Sequence, residues 1–197
     1  SSTSRGLGDV YKRQLDSGLA KGSMTFIKKL TASSSATLSF LNGADNVVFD
    51  ATYKEYEFHF TNIHPATDRA FLQFQVDTGT NTNYNQAITS TFHHAFHNEA
   101  DTNTALNYVA SKDLAQGTGF QVIGDGVGGS ADECLVGTLQ IFDVASTTKV
   151  KHYTSIVNNY RTNDDTYNVF TGGYANTTSA VNAIQFKCSS GNTDSGI

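Results

Sequence analysis

His93, His94 and His97 are the densest group of side chains able to bind a metal or move a proton. On a strand, His93 and His97 share one face, and His94 points the other way with Phe92 and Phe96. Two imidazoles four residues apart then lie ~13 Å from each other. A shared zinc needs a Zn–N distance of ~2.1 Å from each ligand. The flanking Thr and Phe favour a strand, so these histidines read as strand residues, and no metal or cofactor is expected. Gly124-Asp125-Gly126-Val127-Gly128-Gly129 has the look of a dinucleotide fingerprint, but that motif needs a helix after it. Here Asp132-Glu133 and a further strand follow. Calcium would need spaced oxygen ligands. Three sets offer oxygens without matching such a spacing: Asp125 with Asp132 and Glu133, Asp77 with Asn81 and Asn83, and Asn163-Asp164-Asp165. They read as solvated loops.

Catalytic signals are thin. The sequence has no GxSxG, no HExxH and no H-x-E with a CxxC partner. Glycosidases place two carboxylates ~5–9 Å apart across a cleft. The chain has only four glutamates, Glu55, Glu57, Glu99 and Glu133, and only Glu57 falls on a clear strand. No enzyme is expected. The tyrosines suggest binding instead: Tyr84, Tyr160, Tyr167 and Tyr174 lie among Asn, Thr and Gly. A sugar site uses a ring for stacking and amides or carboxylates for hydroxyls. Tyrosines closing the ends of a core give the same pattern, and the residues leave both readings open. The positions where a saccharide would be sought are Tyr84, Asn85, Asp164, Tyr167 and Tyr174.

What positions these residues is a set of short strands. Tyr56, Phe58 and Phe60 alternate with Glu57, His59 and Thr61, and Leu72, Phe74 and Val76 alternate with Gln73 and Gln75. Further strands are expected at Met24–Leu30, Ala36–Leu41, Ile88–His97, Leu106–Ala110, Phe120–Ile123, Leu135–Phe142, Val150–Val157, Tyr167–Tyr174 and Val181–Cys188. Turn clusters such as Asn42-Gly43-Ala44-Asp45-Asn46 separate them. Gly124–Glu133, with four glycines, is expected to be a flexible loop. Pro65 is expected in the loop after the Tyr56–Phe60 strand. Only Ser111–Ala115 hints at a helical turn. About ten short antiparallel strands with turns every 8–15 residues predict an all-β fold, a single β-sandwich of jelly-roll type.

The 197 residues fit one domain. Leu, Ile, Val and Phe supply 45 of them, enough apolar mass for a core. Thr, Ser and Asn make up 59, while charged residues are only 16%. The surface is thus solvated by hydroxyls and amides more than by charge. A net charge of −5 argues against a nucleic-acid partner. No apolar run approaches the ~18 residues of a membrane helix, so no membrane insertion is expected. Cys134 and Cys188 are expected to be free thiols.

Ser4–Gln14 reads SRGLGDVYKRQ, which back-translates into a transposase adapter used to build sequencing libraries. Residues 1–14 are therefore read as a sequencing artefact, with 15–23 an untranslated leader and translation starting at Met24. The domain is placed at 24–197.

Several stretches together resemble a family of small β proteins common in tailed-phage genomes and marine viral metagenomes. They are Phe26–Leu38 (FIKKLTASSSATL), Tyr53-Lys54-Glu55-Tyr56, Asn62–Asp68 (NIHPATD), Thr89-Ser90-Thr91-Phe92, Ala115-Gln116-Gly117-Thr118, Gly172-Gly173-Tyr174 running to Phe186, and Ser189-Ser190-Gly191-Asn192. The resemblance implies a virion-associated protein of tail or fibre type, with no known catalytic residues. Similar sequences run from the SSGN element into a final strand ending in Tyr-Gly. Here Ser195-Gly196-Ile197 follows, so a clipped last strand and an open sheet edge are expected.

The expected function is thus a non-enzymatic phage virion protein in or near the tail, contacting other virion proteins and host surface polysaccharide. A homotrimer would add avidity to weak single contacts. The alternatives are a capsid decoration or cementing protein without ligand, and a polysaccharide-degrading enzyme on a sandwich scaffold.

Overall fold

The computed structural model describes residues 24–79 and 83–197. The expectations for residues 1–23, and for Asn81 in the Asp77 loop, fall outside the described residues. Among the described residues every regular element is a strand, and every pairing is antiparallel. The strands are β1 (Leu38–Leu41), β2 (Glu55–Pro65), β3 (Ala70–Asp77), β4 (Ile88–Asn98), β5 (Thr104–Tyr108), β6 (Ala115–Gly117), β7 (Gln121–Val127), β8 (Leu135–Phe142), β9 (Lys151–Arg161), β10 (Asp165–Ala175), β11 (Ala183–Cys188) and β12 (Thr193–Ser195). They form two packed sheets, the β-sandwich that the alternation predicts. The smaller sheet has the order β1-β11-β3-β7, and the larger β12-β2-β8-β9-β10-β4-β5 with β6 beside β4.

The alternation fixes which side chains meet between the sheets. In β2, Tyr56, Phe58 and Phe60 are buried, and in β9 Lys151, Tyr153, Ser155, Val157 and Asn159 are. Phe186 on β11 lies 5.2 Å from both Phe58 and Phe60, and Phe74 on β3 meets Tyr153 edge to face at 4.9 Å. Buried polar groups on both sides of the smaller sheet find partners. Gln75 donates to the carbonyls of Gln86 and Gly119, and the Gln121 amide oxygen accepts from the Ser90 hydroxyl at 2.6 Å. The Lys151 ammonium donates to the carbonyls of Ser146 and Lys149 at 2.7 and 2.8 Å.

Four expectations are corrected. Residues 24–30 form no strand. Ile27 packs on the core and Lys28 reaches Asp45 at 2.7 Å, while Met24 and Phe26 stay exposed, and backbone pairing begins only at Ala32 with Gly196. The glycine-rich stretch is not one loop, because Gly124-Asp125-Gly126 lies inside β7. A Cβ on Gly124 would fall onto Leu135 Cδ1 of the opposite sheet, so glycine there permits close approach rather than flexibility. Gly126, at φ +67°, supplies a backbone conformation costly to other residues. Pro65 ends β2 itself, opposite Thr193. Residues 110–112 form a turn rather than a helix, with Lys112 N bonding Val109 O, and Ala115 already begins β6.

Ser189–Asn192 leads into β12, which pairs with β2, and Ile197 exchanges both backbone bonds with Thr61. Along Glu55–Phe60, β2 has β8 on one side and no strand on the other among the described residues.

Candidate functional site

The outer face of the larger sheet carries side chains that the core does not use. Register aligns them in rows across the strands. Tyr108 of β5 stands opposite His93 of β4, His93 opposite Phe170 of β10, and Phe170 opposite Ile156 of β9. The next row holds Leu106, Ala95, Asn168, Asn158 and Val136. Exposure of Leu106 at 73%, Tyr108 at 58% and Ile156 at 52% shows that nothing in the described chain covers these rows. His93 stacks on Phe170 with centroids 5.1 Å apart and planes 6° from parallel. With strands ~4.8 Å apart, the Tyr108–Ile156 row is ~14 Å wide.

Polar side chains flank this strip. Asn158 Nδ2 donates to Thr166 Oγ1 at 2.8 Å, and Thr154 Oγ1 donates to Gln140 Oε1 at 3.3 Å. A cavity lies at each end of the face. One, of about 220 Å³, is lined by His97, Glu99, Asn158, Tyr160 and Thr166, with the backbone beside them. The other, of about 320 Å³, is lined by Phe142, Asp143, Lys149, Val150 and His152. Tyr160 and His152 sit eight residues apart on β9, so the cavities are separated by ~26 Å along the strand. The smaller lies below the ~300–1,000 Å³ usual for a drug-sized ligand and suits a single ring-sized group.

Local bonds hold the smaller cavity in shape. Glu99 N donates to Asp164 O at 2.8 Å, pinning the β4–β5 loop to the β9–β10 turn. Tyr160 Oη donates to Asp164 Oδ1 at 3.2 Å, and His97 Nε2 lies 3.0 Å from Asp101 Oδ1. Desolvation, joined by the nearby Asp164, Glu99 and Asp132 carboxylates, pushes the Tyr160 hydroxyl up to about 12.

The five residues proposed from sequence do not gather at one place. Tyr167 is buried on the inner side of β10, where its hydroxyl lies 2.7 Å from His94 Nε2 and the Arg161 guanidinium covers its ring at 4.2 Å. Burial pushes that hydroxyl up to about 12 and holds the His94 imidazole below its ordinary value. Tyr167 thus closes the end of the core, as does buried Tyr84, whose ring packs near Phe120. Asn85 is exposed beside Tyr84. Tyr174 is on the outer face, 5.7 Å from His152, but seven residues and ~23 Å along the strand from Tyr167. Only Asp164 and Tyr174 adjoin the outer face, at opposite ends. The outward His93 and His97 and the inward His94 take the faces that strand alternation assigns them.

Most acidic and amide groups of the polar loops meet partners within the chain, although Asp165 Oδ1 is buried without a hydrogen bond. Asp125 pairs with Lys112 at 3.3 Å, Glu133 accepts from Ser130 N, and Asp77 accepts from the backbone of Gly79, Asn83 and Tyr84. Asn163 accepts from Arg69, and Asp165 lies 3.7 Å from Arg161. Among the described residues, no three His, Cys, Asp or Glu side chains converge as a metal requires. Cys134 is partly exposed, Cys188 is buried, and both are free.

Comparison with known proteins gives no matching family model, no matching curated protein and no matching solved structure.

Proposed function

We propose that the chain is a non-enzymatic virion protein of phage tail or fibre type, and that the outer face of its larger sheet contacts glycan on the host cell surface. The observation that carries this reading is the register-aligned strip of Tyr108, His93, Phe170 and Ile156, left uncovered and bordered by amides and hydroxyls. Exposed apolar area gathered in one place marks an interaction surface. Rings set among amides and hydroxyls suit a sugar, which offers apolar C–H faces and polar edges. The phage assignment rests on the sequence resemblance, and the contact surface on the strip. Trimerisation on other virion proteins would raise the avidity of such shallow contacts.

Pelleting of the purified protein with a panel of marine bacterial envelopes tests the proposal. Selective pelleting that free polysaccharide competes away, and that Phe170→Ala abolishes, is expected. Equal absence from every pellet, with the sandwich intact by circular dichroism, would favour a decoration protein without ligand.

A further inference from the structure

The smaller cavity joins an aromatic wall to an unpaired carboxylate, and that pairing names a ligand class. Its aromatic wall is Tyr160 on β9 and Glu99 belongs to its lining, while the Asp164 carboxylate lies outside the lining and accepts from the Tyr160 hydroxyl. Lys112, Lys151 and Arg161 are turned to other work: Lys112 to Asp125 and the Phe71 ring, Lys151 to backbone carbonyls, and Arg161 to the Tyr167 ring and Asp165. The one cationic candidate in the lining, His97, is engaged by Asp101. The Glu99 carboxylate has no hydrogen bond or ion pair among the described residues. A ring-sized concavity is thus bounded by an aromatic surface and a carboxylate with no partner of its own.

Resting on the reading that this face binds glycan, we propose that the cavity takes a sugar unit bearing a free amine, its ring against Tyr160 and its ammonium at Glu99, with the Asp164 charge beyond the Tyr160 hydroxyl. The ammonium gains from the carboxylates and from the negative face of the phenol ring. A uronic acid would place like charges together, and an N-acetyl group would bring no charge to meet the carboxylate. The same cavity on a neutral rim would accept any hexose, so the carboxylates provide the selection. The shift of the Tyr160 hydroxyl agrees with their proximity. The strip beyond Asn158 then carries the following units of the chain as apolar and hydroxyl contacts.

The test uses the full chain and three immobilised probes: a β-1,4-linked glucosamine oligomer, its fully N-acetylated form, and a galacturonic acid oligomer. Retention should be strongest on the glucosamine oligomer, should weaken about fivefold with Glu99→Gln, and should fall as salt is raised, because exposed charges are screened over ~10 Å at 0.1 M. Circular dichroism checks that Glu99→Gln, an exposed loop change, leaves the fold intact. Equal or tighter retention on the N-acetylated or acidic oligomer overturns the amine assignment and leaves glycan binding standing. No retention on any probe, with envelopes still pelleting the protein, also overturns the amine assignment alone. No retention together with no envelope binding overturns both readings.

Discussion

Two phenylalanines, one on each sheet, should respond to the same truncation with losses of very different size. Phe186 is 3% exposed between the sheets, with Phe58 and Phe60 at 5.2 Å and Phe40 and Phe74 at 6.3 and 6.4 Å. Phe186→Ala removes a fully packed ring and leaves a hole that both sheets frame, a change that costs about 3–5 kcal/mol. In a domain of this size each kcal/mol moves Tm by roughly 2–4 °C, so Tm should fall by roughly 6–20 °C. Phe170 stands on the outer face, and its described ring contact is the stacked His93. Losing one cross-strand pair costs about 0.2–1 kcal/mol, a fall of no more than ~4 °C. Thermal unfolding followed by circular dichroism measures both. Similar losses for the two variants would refute the assignment of one ring to the core and the other to a free surface.

Adjacent glycines of β10 provide a second contrast. A Cβ on Gly173 would lie 2.8 Å from Ser90 Cα of β4, whereas on Gly172 the nearest atom is Tyr153 O at 3.9 Å. Gly173→Ala should therefore cost about 2 kcal/mol or more in urea unfolding, and Gly172→Ala about 0.5 kcal/mol or less of either sign. On the acid side, burial lowers the His94 pKa, so the unfolded chain takes up that proton first. Stability should fall as pH drops below ~6.5, and His94→Gln should flatten the slope of urea midpoint against pH. On the alkaline side, the Tyr167 hydroxyl is pushed up to about 12 in the fold. The unfolded chain then loses this proton first, so stability should decline between pH ~10 and ~12, with tyrosinate absorbance appearing together with unfolding.

Strands with one buried face were legible because their alternation is clean, as at Tyr56-Glu57-Phe58-His59-Phe60 and Leu72-Gln73-Phe74-Gln75-Val76. Met24–Leu30 shows similar letters but finds no strand neighbour, and a period-2 pattern cannot say whether an edge is available. Gly124–Val127 hid a strand because glycine gives no periodicity, and its reason for being there, the Leu135 side chain, comes from another sheet. The tyrosines misled because Tyr167 borders the polar β9–β10 turn yet falls on the inward parity of β10. The outer strip had a signal of its own. Leu135-Val136, Ile156-Val157 and Val169-Phe170 are apolar doublets, and on a strand one member of each must face outward. What no single strand reveals is that Ile156 and Phe170 come opposite each other, which depends on the β9–β10 register.

The outer face as a glycan surface is tested most directly by methyl NMR during titration with a polysaccharide that competes with envelope binding. Ile156 and Val136 report from the outer face, and Val157 and Leu139, adjacent or near in sequence, report from the core. Saturable shifts confined to Ile156 and Val136, and absent in Phe170→Ala, are the predicted result. Shifts at neither pair, or shifts centred on residues away from this sheet face, would contradict it.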